Sequence, residues 1–166
     1  MRQRYLIALG SNKRHRRHGR PERVLAAALE ALGGQGLTVV AIAPVLRSAA
    51  IGPSRRRYAN GAAVIETRLM PDDLLDVLKL AERAFGRRGG GQRWTERVLD
   101  LDIVLWSGGA WSSTGLTVPH TAFRERDFVL RPALAVAPGW RDPLTGRTVR
   151  QLAARLNHSR SAARRS

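Results

Sequence analysis

RWTERVLDLDIVLW, Arg93 to Trp106, alternates at the strand period of two. The odd positions Leu99, Leu101, Ile103 and Leu105 form an unbroken apolar face, and the even positions Val98, Asp100, Asp102, Val104 and Trp106 form the other. Side chains two residues apart on a strand point the same way at a spacing of roughly 6.5 Å, so Asp100 and Asp102 converge on one small volume in front of a sheet. Two carboxylates that close repel unless a cation lies between them. Oxygen-only donors favour magnesium, and paired ions that also bind substrate phosphates are a recurrent device of phosphoryl chemistry. Arg93, Trp94 and Arg97, just upstream, add guanidinium forks and an aromatic face beside the carboxylates.

Working outward, the upstream segment Arg87 to Gln92, RRGGGQ, has three consecutive glycines and no periodicity, which predicts a mobile, positively charged loop over the carboxylates. Before it, Pro71 and Asp72 open a helix whose apolar side is Leu74, Leu75, Val77, Leu78, Ala81 and Phe85, with Glu82 at its edge. Tyr58 to Leu69 alternates as a strand, with Tyr58, Asn60, Ala62, Val64 and Glu66 on one face. Leu37 to Leu46 reads as another strand. Pro21 starts a helix with Val24, Leu25, Ala28, Leu29 and Leu32 in one stripe, ended at Gly33 and Gly34. Tyr5 to Gly10 is a buried first strand, followed by the basic loop KRHRRHGR, whose His15 and His18 are expected to be solvated rather than metal-bound.

Downstream, Ser107 to Gly109 turns the chain and Leu116 to Val118 is a short returning strand leading to Pro119 and His120. Arg124 to Leu130 ends in a strand-like way, Pro132 to Ala137 is a short apolar piece, and Val149 to Leu156 is a last helix. The expected organisation is one domain, residues 1–156, followed by a basic disordered tail, residues 157–166. Its class is α+β, a largely antiparallel sheet covered by helices.

Bulk composition limits function without choosing it. The 166 residues, 43% hydrophobic, suffice for a core, and the lack of cysteine excludes disulfides and thiolate metal sites. There is no P-loop or dinucleotide fingerprint. The basic start is too short for a signal peptide and no run is long enough to cross a membrane, so a cytoplasmic location without membrane partners is expected. A net charge of +16 suits nucleic acid, anionic lipid or polyphosphate equally. A basic nucleic-acid-binding module is therefore the alternative reading, although aromatics at 5% supply no stacking face of the RNP type.

The motifs GSN after the first strand, RSxxIGP, Tyr58-x-Asn60, ERAFGR from Glu82 to Arg87, RWTERVLDLDI, LTVPH and RDFVL occur in that order across residues 4–156. In this ordered set the chain resembles the 6-hydroxymethyl-7,8-dihydropterin pyrophosphokinase family of the folate pathway. The resemblance implies a ferredoxin-like fold, three mobile loops, two magnesium ions and transfer of the ATP pyrophosphate to the pterin hydroxymethyl group with release of AMP. Asp100 and Asp102 would be the metal ligands, acting in catalysis with Arg87 and Arg97. ATP would be held by Glu82, Arg87, Arg93, Trp94, Arg97, Ile103, Thr117, His120 and Arg126. The pterin would lie between Tyr58 and Phe128, read by Asn60, with Ser48, Ala49, Ile51 and Trp94 completing the pocket. A monomer binding these two substrates and no specific nucleic acid is implied; a relative of the family that binds pterin or ATP with weakened or lost turnover is a further alternative. The chain departs from the family pattern at Thr95 and Glu96, which replace Gly-Pro. It departs again at Gly89 and Gly115, which stand where arginine is usual, at Thr121, and in a basic, shortened loop before Tyr58. These differences bear on rate and ATP affinity more than on fold.

Overall fold

A computed structural model of the protein describes residues 1–48, 58–86 and 98–165. The elements in order are β1 Gln3–Ser11, α1 Pro21–Gly33, β2 Thr38–Ile42, β3 Leu46–Ser48, β4 Tyr58–Thr67, α2 Pro71–Ala84, β5 Asp100–Trp106, β6 Trp111–Ser113, β7 Leu116–Val118, α3 Asp127–Val136 and α4 Val149–Ala163. A 3₁₀ turn, Phe123–Glu125, precedes α3. The main sheet has the order β2-β4-β1-β5, with β3 also on β4, and all its pairings are antiparallel. Helices α1 and α2 link strands that are separated in the sheet by one other strand. This interleaved βαββαβ pattern makes the fold ferredoxin-like α+β, as expected.

The two faces of the sheet are buried by different helices. On one face Tyr5, Ile7, Leu9, Ala63, Ile65, Leu101 and Ile103 pack under the apolar stripes of α1 and α2. On the other, Leu6, Ala62, Val64, Val104 and Leu105 pack with Phe123, α3 and α4. The strand period explains this division, except at one place. The pairing of β1 with β5 slips between Leu6 and Ile7: Leu6 faces Leu105 and Ile7 faces Ile103, leaving Val104 as an extra residue. The apolar face expected from Leu99 to Leu105 is therefore broken. Leu105 turns to the α3–α4 side and Trp106 to the α1–α2 side.

Four further expectations are corrected. The segment expected as one strand to Leu46 divides into β2 and β3. The strand-like RDFVL and the apolar piece after it are a single helix, α3, with Pro132 inside it. α4 continues to Ala163 instead of ending at Leu156, its late turns held by Arg160 Nη1 at 3.1 Å from Asp127 Oδ2 of α3. His15 and His18 are half-buried rather than solvated, their rings stacked 4.7 Å apart and packed on Phe85 at the end of α2. No helix among the described residues is long and apolar enough to cross a membrane.

Two contacts fix the chain beyond the sheet. Trp106 donates from Nε1 to Gln3 Oε1 at 3.0 Å and stacks on Tyr5, while Trp111 meets it edge-on. A Cβ at Gly108 would run into this pinned indole, so Gly108→Ala is expected to lower stability by about 1–3 kcal/mol, read by thermal denaturation. The second contact is buried. Asp142, 0% exposed, accepts from Arg124 Nε at 2.6 Å and Nη2 at 2.7 Å, from Thr145 Oγ1 at 2.6 Å and from the Leu144 amide at 3.1 Å. Burial pushes this carboxyl up, but the hydrogen bonds from Arg124, Thr145 and Leu144 outweigh it and hold the group below its ordinary range. A lowered folded-state value means that the charged pair stabilises fully above the ordinary aspartate range and loses that effect as pH falls through it. Denaturant titrations should accordingly show Asp142→Asn roughly 3 kcal/mol weaker at neutral pH and the gap shrinking in acid. A gap independent of pH would contradict the assignment.

Candidate active site

On the α3–α4 face of the sheet, two cross-strand rows lead from the buried core to the carboxylates of β5. In the first, Gly10 of β1 lies between Asn60 of β4 and Asp100 of β5; in the second, Ala8 lies between Ala62 and Asp102. The middle residues are glycine and alanine, so the centre of this floor is low while polar side chains stand at its sides. A Cβ added to Gly10 would be 3.5 Å from Asn60 Oδ1 and 4.0 Å from the Cβ of Asp100, which shows that the amide and the carboxylate flank the notch directly. Adjacent strands are separated by about 4.8 Å, so Asn60 and Asp100 are roughly 10 Å apart across the row.

β5 is an edge strand, and its outward backbone groups have specific partners. Leu101 donates its amide to Glu82 Oε1 of α2 at 2.8 Å, and Val104 accepts from the amide of His120 at 3.0 Å. Between these two attachments opens a cleft of about 460 Å³ lined by Glu82, Asp100, Asp102, Ile103, Thr117 and His120, together with Leu75, Lys79, Ser113, Thr114, Gly115 and Thr121. The side chain of Asp102 is 42% exposed, and its Oδ2 is 4.0 Å from His120 Nε2. His120 Nδ1 accepts from the Ala122 amide at 3.2 Å, so in the neutral ring Nε2 carries the proton and faces the carboxylate as a donor, not as a metal ligand.

Metal binding can be judged from these donors. Asp100 and Asp102 offer carboxylate oxygens on one side of one strand and open onto the cleft. Among the described residues no group of three or more His, Cys, Asp or Glu could enclose an ion. Such a set fits magnesium, which keeps water and takes substrate phosphates as ligands, better than a metal needing a full protein cage.

Several sequence-predicted residues are brought together here, and others are not. Asp100, Asp102, Glu82, Ile103, Thr117 and His120 share the cleft. Glu82 is 3% exposed and Ile103 2% exposed, so the first serves the strand edge and the second packs mainly in the core. Asn60 lies across Gly10, and Tyr58 opens the same strand two residues earlier, half-buried beside a basic cleft with Lys13, Arg14, Arg20 and Arg47. Phe128 stands at the first turn of α3, 36% exposed, with the Arg126 guanidinium 5.7 Å from its ring centroid. Ser48 ends β3 opposite Tyr58. Ala49, Ile51, Arg87, Arg93, Trp94 and Arg97, and the differences at Gly89, Thr95 and Glu96, lie outside the described residues, as does the glycine-rich loop. Leu75, Lys79, Ser113 and Thr114 were missed by the sequence reading. The signal for the first two was present, since positions 75, 79 and 82 share one helical face.

The hairpin wall of the cleft is anchored by α2. Asp72, in the first turn of that helix, accepts from Trp111 Nε1 at 3.2 Å and from Ser113 Oγ at 2.6 Å. β6 was not anticipated, because its WSS has one apolar residue followed by two serines, whereas the equally short LTV of β7 is apolar at both ends.

Comparison with known proteins bears on the family and the fold. Residues 6–138 match the family model described as 7,8-dihydro-6-hydroxymethylpterin-pyrophosphokinase (HPPK). Proteins named 2-amino-4-hydroxy-6-hydroxymethyldihydropteridine pyrophosphokinase are similar in sequence. The one from Pseudomonas aeruginosa is 39% identical over 143 residues, 85% of each chain. That from Methylorubrum extorquens is 36% identical over 155 residues, 92% of this chain and 93% of the other. The Synechocystis protein is 37% identical over 117 residues, 70% of this chain, which spans 60% of the relative's length. Among solved structures, Plasmodium falciparum HPPK-DHPS with pteroate superposes with a TM-score of 0.70 at 10% identity, over 93% of this chain and 44% of that one. At such identity the superposition speaks for the fold alone.

The hydrogen bond of Glu82 gives a direct test. Glu82→Ala leaves the Leu101 amide without its acceptor and is expected to cost about 1–3 kcal/mol of stability, whereas Glu82→Gln keeps a carbonyl oxygen in place and stays within about 1 kcal/mol of the parent. Chemical denaturation of the two variants measures it; equal losses would mean that the charge of Glu82, rather than the bond to the strand, is what matters.

Proposed function

The chain belongs to the 7,8-dihydro-6-hydroxymethylpterin-pyrophosphokinase family, and from that membership we propose that it transfers the pyrophosphate of ATP to the hydroxymethyl group of 6-hydroxymethyl-7,8-dihydropterin, releasing AMP. The observation that carries the reading is the row Asn60–Gly10–Asp100. A pterin laid over Gly10 would offer its aminopyrimidinone edge to the amide of Asn60, whose donor and acceptor match that edge. Its hydroxymethyl end would then point to the Asp100 side, where the cleft begins. Tyr58 and Phe128 would grip the ring faces.

In this reading the triphosphate occupies the cleft between α2, the edge of β5 and the β6–β7 hairpin. Asp100 and Asp102 would hold magnesium, two ions in the full site, which when bound neutralise phosphate charge and align the chain for attack. Catalysis by the protein is positioning and electrostatics, with no covalent intermediate on a side chain. His120, its Nε2 proton fixed by the Ala122 amide, is placed to donate to a phosphate oxygen near Asp102. Arg126 comes from the segment leading to α3. Arg87, Arg93, Trp94 and Arg97, which lie in sequence between α2 and β5, are the remaining residues proposed to contact ATP, Trp94 also the pterin. All the residues proposed for the site belong to one chain, and action as a monomer in the cytoplasm is part of the proposal.

An AMP-release assay with 6-hydroxymethyl-7,8-dihydropterin, ATP and magnesium tests the reaction. Asp100→Ala and Asp102→Ala should each lower turnover by at least about a thousandfold without unfolding the protein, because both side chains stand outside the Leu101–Ile103 core. Normal turnover in either variant would remove the metal assignment. Asn60→Ala should weaken pterin binding by about 1–3 kcal/mol while leaving ATP affinity within a few tenths. Calorimetry with each ligand decides this, and equal losses for both would make Asn60 a scaffold residue.

A further inference from the structure

The chain from Pro119 to Arg126 is a strap between β7 and α3 with one 3₁₀ turn, and it leads directly into Phe128 in the first turn of α3. It carries His120 and Arg126 of the proposed site and sets Phe128, the second residue of α3. At its start the strap is tied to β5 by the His120 amide on Val104, and at its end the Arg126 carbonyl accepts from Val129 and Leu130 at 3.0 Å each. In the middle, Phe123 is 1% exposed, with the Arg124 guanidinium 4.8 Å from its ring centroid, and Arg124 reaches across to Asp142.

We propose that Arg124 and Asp142 are positioning residues for the transfer reaction, their two-pronged, part-buried pair setting the strap so that His120, Arg126 and Phe128 meet both substrates in register. The proposal rests on the functional reading given above. Asp142 is a rigid anchor. Its amide donates to Arg147 O at 2.9 Å, its carbonyl accepts from Gly146 at 2.8 Å, and Leu144 and Thr145 complete the carboxylate. The same turn runs into Thr148, whose side chain caps α4 reciprocally with Gln151. A second link, Arg160 to Asp127, joins α4 to the first turn of α3 beside Phe128.

A buried ion pair is a poor device for stability alone, since well-packed apolar groups of the same volume do as well. What a guanidinium–carboxylate fork adds is one fixed geometry. It also divides the work of two arginines: Arg124 is committed to Asp142, while Arg126, two residues on, lies against the Phe128 ring. A shift of about 1 Å in groups that orient substrates can cost a hundredfold in rate, so a clamp remote from the reacting atoms can still control the reaction.

The experiment compares the parent, Asp142→Asn and Arg124→Lys in the full chain, by steady-state kinetics and by calorimetric titration with ATP–magnesium and, separately, the pterin. Circular dichroism establishes that each variant is folded at the assay temperature. Mispositioning predicts full binding stoichiometry, KM and Kd raised roughly tenfold for both ligands, and kcat/KM lowered about 10- to 100-fold. Arg124→Lys, which keeps a cation against the carboxylate but loses the fork, should show the smaller change of the two. It also carries the comparison alone if Asp142→Asn does not fold. A purely structural role would instead reduce the active fraction, lowering stoichiometry and apparent kcat with KM and Kd unchanged, and that result overturns the proposal. So do unchanged constants at full stoichiometry. A parent chain that binds ATP but transfers nothing would defeat the functional reading, while the ratio of variant to parent Kd would still judge the clamp.

Discussion

Everything at the site depends on the alternation of β5. Because successive side chains leave a strand on opposite sides, Leu101 and Ile103 can be buried under α1 and α2 only if Asp100 and Asp102 emerge on the other face. The bulge at Val104 then changes the assignment. Beyond it both Val104 and Leu105 enter the α3–α4 core, so the polar and apolar parts of one face of the sheet are separated along the strand. The same strand thus builds two cores and a site. A slip of one residue at Asp100 would bury two carboxylates and expose the leucines.

An edge strand presents backbone donors and acceptors that must be satisfied. Here Glu82 takes the Leu101 amide and His120 supplies an amide to Val104, so the helix and the strap that enclose the cleft are attached to the strand that bears the carboxylates. The geometry of the cleft is therefore coupled to the sheet rather than left to loops. Asp72 extends the arrangement by holding the β6–β7 hairpin to the start of α2. The middle of the strap is tied elsewhere, through Arg124, to the turn that precedes α4.

Misreadings of the sequence have identifiable physical causes. Phe128, Val129 and Leu130 favour strands by composition and Pro132 argues against a helix, yet α3 forms because Val129, Leu130 and Ala133 bury together against β4. Proline there forfeits one backbone hydrogen bond, which tertiary burial offsets. The last turns of α4 have no apolar stripe, and the ion pair with Asp127 that holds them spans more than thirty positions in sequence. The resemblance assigns Glu82 to ATP, and the fold gives its carboxylate a hydrogen bond from the Leu101 amide as well. Its acceptor role depends on an edge strand that no local pattern could place beside it.

Period-two alternation in residues 58–69 and 93–106, the apolar run of residues 5–10, the apolar stripe after Pro21 and the ordered motifs determined the fold class, the family and the carboxylate pair from sequence alone. Those signals are local: each is set by which neighbours along the chain must share a face. The tertiary structure decided the bulge at Val104, the Asn60–Gly10–Asp100 row, the duty of Glu82 and the pairing of Arg124 with Asp142. These are long-range matters of register and of which polar groups meet when water is excluded. Burial makes a missing partner costly only after the fold has brought the groups together.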